Sequence, residues 1–308
     1  MLTTSQLRQS AALSGVRDIS NIEIDVLLTH LLQLFHEKGL TRHLAFKGGT
    51  FLRKMVFGPR GRISTDLDFT HRSEISLDDL TLLLLDALEK PYHGISFRFD
   101  REKDWYLTEE GCAANPVCAH EGNPTGVKIK IQVSMREQPI LPVRETPQID
   151  QGYFKLLDFV PAPIPSLALD EVIAEKIRAA SQRSKIRDLY DLAEICRRPL
   201  HQETVRSLAV LKLWQMGRPG LDYDRFRRRI EAGEDYDVSD LQNLLRKDQK
   251  PDLARMIERV CVEYRFLGQL TEIERKIAGD SAMRLRSESE LLRQELLSGQ
   301  SGRDPQGG

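Results

Sequence analysis

Cysteine is scarce in this chain: Cys112, Cys118, Cys196 and Cys261 are the only four in 308 residues. Such sparse use excludes a disulfide-stapled scaffold and suits free thiols in a reducing compartment. Cys112, Cys118 and His120 lie near one another but lack a CxxC pair and a fourth ligand at finger spacing, so they do not read as a zinc site. Long apolar runs are missing as well. The Leu82 to Leu85 cluster falls far short of the roughly 20 residues that span a bilayer. Met1 to Val16 has neither the basic head nor the apolar stretch of a signal peptide, and a cytoplasmic protein with no membrane partner is expected. Nor does either charge dominate, with 45 Lys and Arg against 46 Asp and Glu. No global field draws the chain to nucleic acid, so any such partner must meet a local patch. GxxxxGK[ST], HExxH and GxSxG are all absent, which removes the P-loop, zincin and hydrolase readings.

The chain is long enough to bury a substantial core, and its pattern predicts a nucleotide-site domain followed by a helical one. Ser20-x-x-Glu23 reads as a capping box for a helix whose stripe is Ile24, Leu27, Leu28, Leu31, Leu34 and Phe35, ended by Gly39. His43 to Phe46 reads as a buried strand running into Gly48-Gly49. The next helix then buries Phe51, Leu52, Met55 and Val56. A helix is expected from about Ser76 to Lys90, a strand near Ser96 to Asp100, a loop over 103–126, and one alternating strand through Val127, Ile129, Ile131 and Val133. Six prolines between Pro139 and Pro165 mark a connector that cannot hold a long helix. The expected domains are 1–160 and a helical 161–297, with a disordered tail over 298–308.

Two groups of residues could carry chemistry. In Ser64-Thr65-Asp66-Leu67-Asp68-Phe69, strand alternation puts Asp66 and Asp68 on one face while Leu67 and Phe69 anchor the other. Paired hard anions invite Mg²⁺. Aspartate is disfavoured in strands, so two beside buried apolar residues suggest a cost tolerated for function. Upstream, Lys47-Gly48-Gly49-Thr50 would offer backbone N–H groups at a helix start, where a phosphate is favoured. From Arg42 to Arg62 there are six basic side chains and no acidic one, either a solvated helix face or a surface for a triphosphate. The second group runs from Asp170 to Leu192. On one continuous helix, Lys176, Arg183, Arg187 and Asp191 would share a face floored by Ala180; a break near Ser184 would change that phase. The alternative is a surface helix laced with pairs such as Arg187 to Asp191.

Four ordered segments carry a family resemblance: Lys47-Gly-Gly-Thr-Phe-Leu-Arg, Ser-Thr-Asp-Leu-Asp-Phe, Lys130-Ile-Gln-Val-Ser-Met-Arg-Glu, and Glu175-Lys176 through Arg187-Asp188-Leu-Tyr-Asp191. Over about Ile22 to Ile195 the chain resembles the AbiEii/AbiGii nucleotidyltransferase toxins, including the mycobacterial MenT group. The resemblance implies an α+β fold, with a polymerase β-type core of mixed sheet flanked by helices and an all-helical C-terminal domain. It also implies the toxin half of a toxin–antitoxin or phage-defence pair, transferring NMP from NTP to RNA, notably tRNA 3′ ends. By position it implies that Gly48, Gly49 and Thr50 hold the triphosphate, that Asp66 and Asp68 ligate Mg²⁺, and that Lys176 and Asp191 are the second catalytic pair. Arg187 and Asp188 are neighbours of that pair, and Ser64 matches a position whose modification could silence some relatives.

Polymerase β-type sites commonly take a third carboxylate from a following strand, where this sequence has Gln132. An amide is no general base and a poorer Mg²⁺ ligand. Asp191 could supply the missing anion. Two other readings stay open: a nucleotidyltransferase acting on a protein or small molecule, and a degenerate scaffold binding nucleotide or a cognate antitoxin. An RNA partner would meet the stretch 171–229, which holds 14 Lys or Arg against 8 Asp or Glu and is densest at Arg225 and Arg227 to Arg229. The acidic residues Glu231, Glu234, Asp235 and Asp237 follow at once and could offset that charge.

Overall fold

A computed structural model describes residues 1–100, 102–108, 110–217, 220–233 and 236–301, with the side chains of 300 and 301 left aside. The expected tail therefore falls mostly outside the described residues, as do Glu234 and Asp235 of the acidic stretch. The chain divides into two compact units, residues 1–167 with 239–250, and residues 168–238 with 251–308.

The first unit opens with α1 (Thr4–Ser14) and α2 (Ile19–Glu37). The cap of α2 differs from the capping-box expectation: Asp18, not Ser20, is N-cap, its carboxylate accepting from the Ser20 backbone N–H at 3.0 Å. An Asp two residues before Ser20 is an equally good cap and simply lies further upstream. Next come β1 (Leu44–Lys47), a short α3 (Gly48–Phe51) that continues as a π-helical turn over Leu52–Phe57, then β2 (Asp66–His71) and α4 (Leu77–Glu89). Ser76 caps α4 through the Asp79 N–H.

The expected loop over 103–126 is instead mostly strand. After β3 (Ile95–Arg98) come β4 (Trp105–Thr108), β5 (Gly111–Ala114) and β6 (Val117–His120). Four-residue strands in polar sequence carry too few periods of alternation to be distinguished from loop. The single strand expected through Val127 to Val133 is two, β7 (Asn123–Lys128) and β8 (Lys130–Ser134), in different sheets. The chain switches sheets at the buried Ile129, whose N–H is taken by the Pro116 carbonyl at 3.0 Å. The proline-rich connector contributes β9 (Arg144–Thr146) and β10 (Ile164–Ser166). Both are short enough for the prolines to flank or join them.

The main sheet has the order β4-β5-β8-β2-β1-β10-β9 and is mixed: β2 pairs parallel with β8 and antiparallel with β1, while β1 pairs parallel with β10. A second sheet is β3-β6-β7. Leu67 and Phe69 are buried, and the Phe69 ring lies 5.3 Å from that of Phe46 and 6.1 Å from that of Phe35 on α2.

The second unit is helical: α5 (Leu169–Gln182), α6 (Ile186–Ile195), α7 (Gln202–Trp214) and α8 (Tyr223–Ala232). After α9 (Val238–Leu244), which lies almost wholly in the first unit, it resumes with α10 (Leu253–Glu263), α11 (Glu272–Gly279) and α12 (Arg286–Ser301). Helix α5 packs on α6, α7 and α8. Among the described residues no helix is long and apolar enough to cross a membrane.

Candidate active site

The two alternating aspartates occupy one face of β2, both half-exposed. Asp68 pairs in register with Lys47 of β1 on one side and with Gln132 of β8 on the other. In-register neighbours point to the same side of a sheet, so Gln132, exposed, stands beside Asp68 where a third carboxylate would be. Asp66 is matched with Lys130, and its Oδ1 accepts from the Thr65 hydroxyl at 3.2 Å.

Both glycines are held by this face. Gly48 has φ 81°, and a methyl group on it would run into the Asp68 carboxylate and come within 2.8 Å of its Cβ. A methyl group on Gly49 would meet Nη2 of Arg62 at 2.7 Å and Oγ of Ser64 at 2.8 Å. The turn is therefore glycine because side chains lie directly on it: Asp68 on the first residue, Ser64 and Arg62 on the second. Thr50 is fully buried, and its hydroxyl donates to the Asp66 carbonyl at 2.5 Å, tying the helix start to β2. Its side chain acts as a strut, leaving its backbone N–H as the group that could serve a phosphate. Lys47 precedes the turn and is largely buried.

The basic stretch from Arg42 to Arg62 is not one surface. Arg53 and Lys54 point into the core, 2 % and 0 % exposed, onto the buried Asp25 of α2. Lys54 Nζ lies 2.8 Å from Asp25 Oδ1 and donates to the Tyr153 and Thr29 hydroxyls, while Arg53 Nη2 lies 3.3 Å from Asp25 Oδ2. Burial pulls the Lys54 ammonium down to about 8 against the Asp25 charge that supports it, and those two cations hold Asp25 below the usual carboxylate range against its own burial. Arg42 and Arg60 are exposed, which leaves Lys47, the residue before the turn, and Arg62, 5 % exposed and seated on Gly49, as the cations beside it. Nothing in the sequence set Arg62 apart from its five basic neighbours.

In the second unit the helix breaks beside Ser184. Arg183 is the C-cap of α5 with extended backbone, and α6 begins at Ile186. The face expected for a continuous helix is thereby replaced by a clasp across the break. Lys176 Nζ lies 2.8 Å from Asp191 Oδ2 and 3.0 Å from Asp188 Oδ1, and Arg183 Nε lies 2.8 Å from Asp188 Oδ2. Arg187 stays half-buried on α6, and Asp188 takes the place beside Lys176. Burial works against the Asp188 charge, yet the Lys176 and Arg183 cations hold its carboxyl down to about 2. The spacing Asp188-x-x-Asp191, one turn of helix, carries this signal once the break is granted.

The Arg225 to Arg229 cluster on α8 is locally engaged. Arg227 lies 3.3 Å from Glu231, Arg228 donates to the Asp224 carbonyl, and Arg229 donates to the Gln182 carbonyl at 2.7 Å. The four cysteines are free thiols. Cys112 sits in the main sheet and Cys118 in the smaller one, and burial pushes them up to about 11 and about 12. His120 is spent on Glu23 at 3.0 Å.

Mg²⁺ keeps several waters and needs one or two carboxylates, so Asp66 and Asp68 on one half-exposed face fit it as a pair. Among the described residues no group of three His, Cys, Asp or Glu side chains is placed to hold a metal ion, in keeping with an amide at 132.

Paired carboxylates on a strand of a mixed sheet, abutting a Gly-Gly turn that opens a helix, are an arrangement suited to nucleotidyl transfer. The fold is similar to that of the MenT4 nucleotidyltransferase toxin from Mycobacterium tuberculosis H37Rv, at 26% identity and a TM-score of 0.79, covering 96% of this chain and 100% of that one. The family model of the AbiEii nucleotidyl transferase toxins, type IV toxin–antitoxin system, matches residues 30–261, and the chain belongs to that family. JHP933 from Helicobacter pylori is similar at 19% identity and a TM-score of 0.45, over 86% of this chain and 97% of that one. No curated protein sequence matches.

Proposed function

We propose that this toxin transfers a nucleoside monophosphate from NTP to an RNA 3′ hydroxyl, that of tRNA in the first instance, with Mg²⁺ as cofactor. The observation that carries the reading is the contact of Asp68 with Gly48: a carboxylate lies against the turn whose amides would receive the phosphates. Bound Mg²⁺ at Asp66 and Asp68 would neutralise charge on the triphosphate and on the attacking and leaving oxygens.

The chain's own groups divide the remaining work. Backbone N–H groups at Gly48 to Thr50 bind the phosphate tail, with Arg62 and Lys47 as the adjacent cations. Ser64, 8 % exposed against Gly49, would carry steric bulk and negative charge straight onto the turn if it were modified. Lys176 steadies phosphate charge, and Asp191, held by Lys176, orients or deprotonates the acceptor hydroxyl. That hydroxyl attacks the α-phosphorus and pyrophosphate leaves. The cognate antitoxin of a type IV system is the expected functional counterpart.

The test is incubation of the purified protein with each α-labelled NTP, Mg²⁺ and total tRNA, beside Asp66→Ala. Label in tRNA that vanishes with the variant supports the reading. Label appearing only in protein or small-molecule fractions would redirect it to another acceptor. A wild-type protein that binds NTP as Asp66→Ala does and transfers nothing would leave a binding scaffold.

A further inference from the structure

Within the clasp of α5 and α6, Asp188 is the carboxylate that the transfer reaction leaves without a task. Its side chain is 3 % exposed, and both carboxylate oxygens are engaged, Oδ1 by Lys176 and Oδ2 by Arg183. With a cation on each of its two oxygens, this carboxylate has neither left to face a substrate, which argues against a base or a ligand. Its partners differ sharply. Lys176 is 11 % exposed and also meets Asp191, whereas Arg183 is 59 % exposed and belongs to the extended link after α5.

A lysine side chain has much rotamer freedom to lose when fixed, and a single carboxylate fixes only its distance, not its direction. Asp188 and Asp191 lie one helical turn apart, so together they hold the ammonium along two lines. We infer that Asp188 is a positioning residue, which aims the Lys176 ammonium and, through Arg183, locks the break between α5 and α6 without touching substrate. This rests on the nucleotidyltransferase reading proposed above.

Asp188 also lies in the first turn of α6, where any acid helps the helix. A merely local role of that kind would alter stability but not Lys176, so the experiment reads Lys176 directly. Full-length wild type, Asp188→Asn and Arg183→Ala are compared in NTP-to-tRNA transfer and in acylation of Lys176 by acetic anhydride. The acylation is measured by mass spectrometry against the exposed Lys185 and Lys130. Asp188→Asn is expected to lower kcat about 10–100-fold, with KM for NTP changed less than about threefold, because misaiming acts on the transition state. Lys176 acylation should rise about tenfold, the ammonium having lost one of two anionic holds.

Arg183→Ala, at an exposed position, should move both readouts the same way by less, and it decides the matter if Asp188→Asn does not fold. Wild-type kcat in the variants, or a lowered kcat with unchanged Lys176 acylation, overturns the positioning role while leaving the transferase reading intact. Absence of transfer by the wild type overturns that reading and this inference together.

Discussion

Gly48 shows how much of the site is decided by single atoms. It combines a left-handed backbone, φ 81°, with the Asp68 side chain against its α-carbon. Gly48→Ala is expected to destabilise the first unit by about 1–3 kcal/mol, since strain and overpacking act together, and to remove transfer activity. Chemical denaturation and the labelled-NTP assay check the two halves of that statement. Asp188 offers a pH test. Its folded carboxyl titrates at about 2 against 3.8 for the free group, so its stabilisation is complete above 3.8 and is lost as pH falls from there toward 2. Linkage puts the loss at about 2 kcal/mol, and Asp188→Asn should flatten that part of the acid profile of thermal unfolding. At this scale the sequence was readable where alternation alone decides the outcome, as with Asp66 and Asp68. Arg53, Lys54 and Arg62 were opaque, because whether a cation faces solvent, a buried Asp25 or a glycine depends on partners far along the chain.

The helical segment from Gly48 to Phe57 has the Gly48-Gly49 turn at one end and the ion pairs of Arg53 and Lys54 with Asp25 at the other. Arg53 reaches back to Asp25 and forward to the Gly58 and Gly61 carbonyls at 2.9 and 2.8 Å, fixing the loop that delivers Arg62 and Ser64 to Gly49. Removing one partner of a buried ion pair strands the other, and Asp25→Leu should cost about 3–5 kcal/mol. The double replacement Asp25→Leu with Lys54→Met should be less damaging than the single one, which urea denaturation of both variants will show. The same dependence on distant partners explains the elements that sequence reading mistook. Ile129 divides β7 from β8 because the Pro116 carbonyl takes its N–H. The break after Gln182 was one of two phases the sequence left open, since Ser181 to Arg187 contains neither proline nor glycine to decide it. The helix at 77–89 was legible from Asp78 and Asp79 in its first turn, a signal that is local.

For the whole molecule, the informative fact is that the first unit is discontinuous. The chain leaves it after Leu167, builds most of the helical unit, returns for 239–250 and leaves again. The returning segment is structural: the Leu244 carbonyl accepts from the Ile63 N–H at 2.8 Å, the Asn243 carbonyl from the Asn21 side chain at 2.8 Å, and the Gly15 carbonyl receives the Lys247 N–H at 2.8 Å. Leu244 itself, 7 % exposed, packs in the cluster of Leu7, Val16, Ile22, Ile63 and Tyr153. Ile63 directly precedes Ser64 and the aspartate strand, so the segment braces the loop that carries the site from a position 180 residues downstream in sequence. Leu244→Ala should therefore lower the stability of the first unit by about 2–4 kcal/mol, the usual cost of a buried leucine cavity. Fragment 1–167, lacking the segment entirely, should unfold at lower denaturant than the same unit in the intact chain. Pulse proteolysis of the full-length variant and of the fragment measures both. A fragment as resistant as the intact chain would mean that the first unit is complete by Leu167 and that the return of the chain contributes nothing to the site.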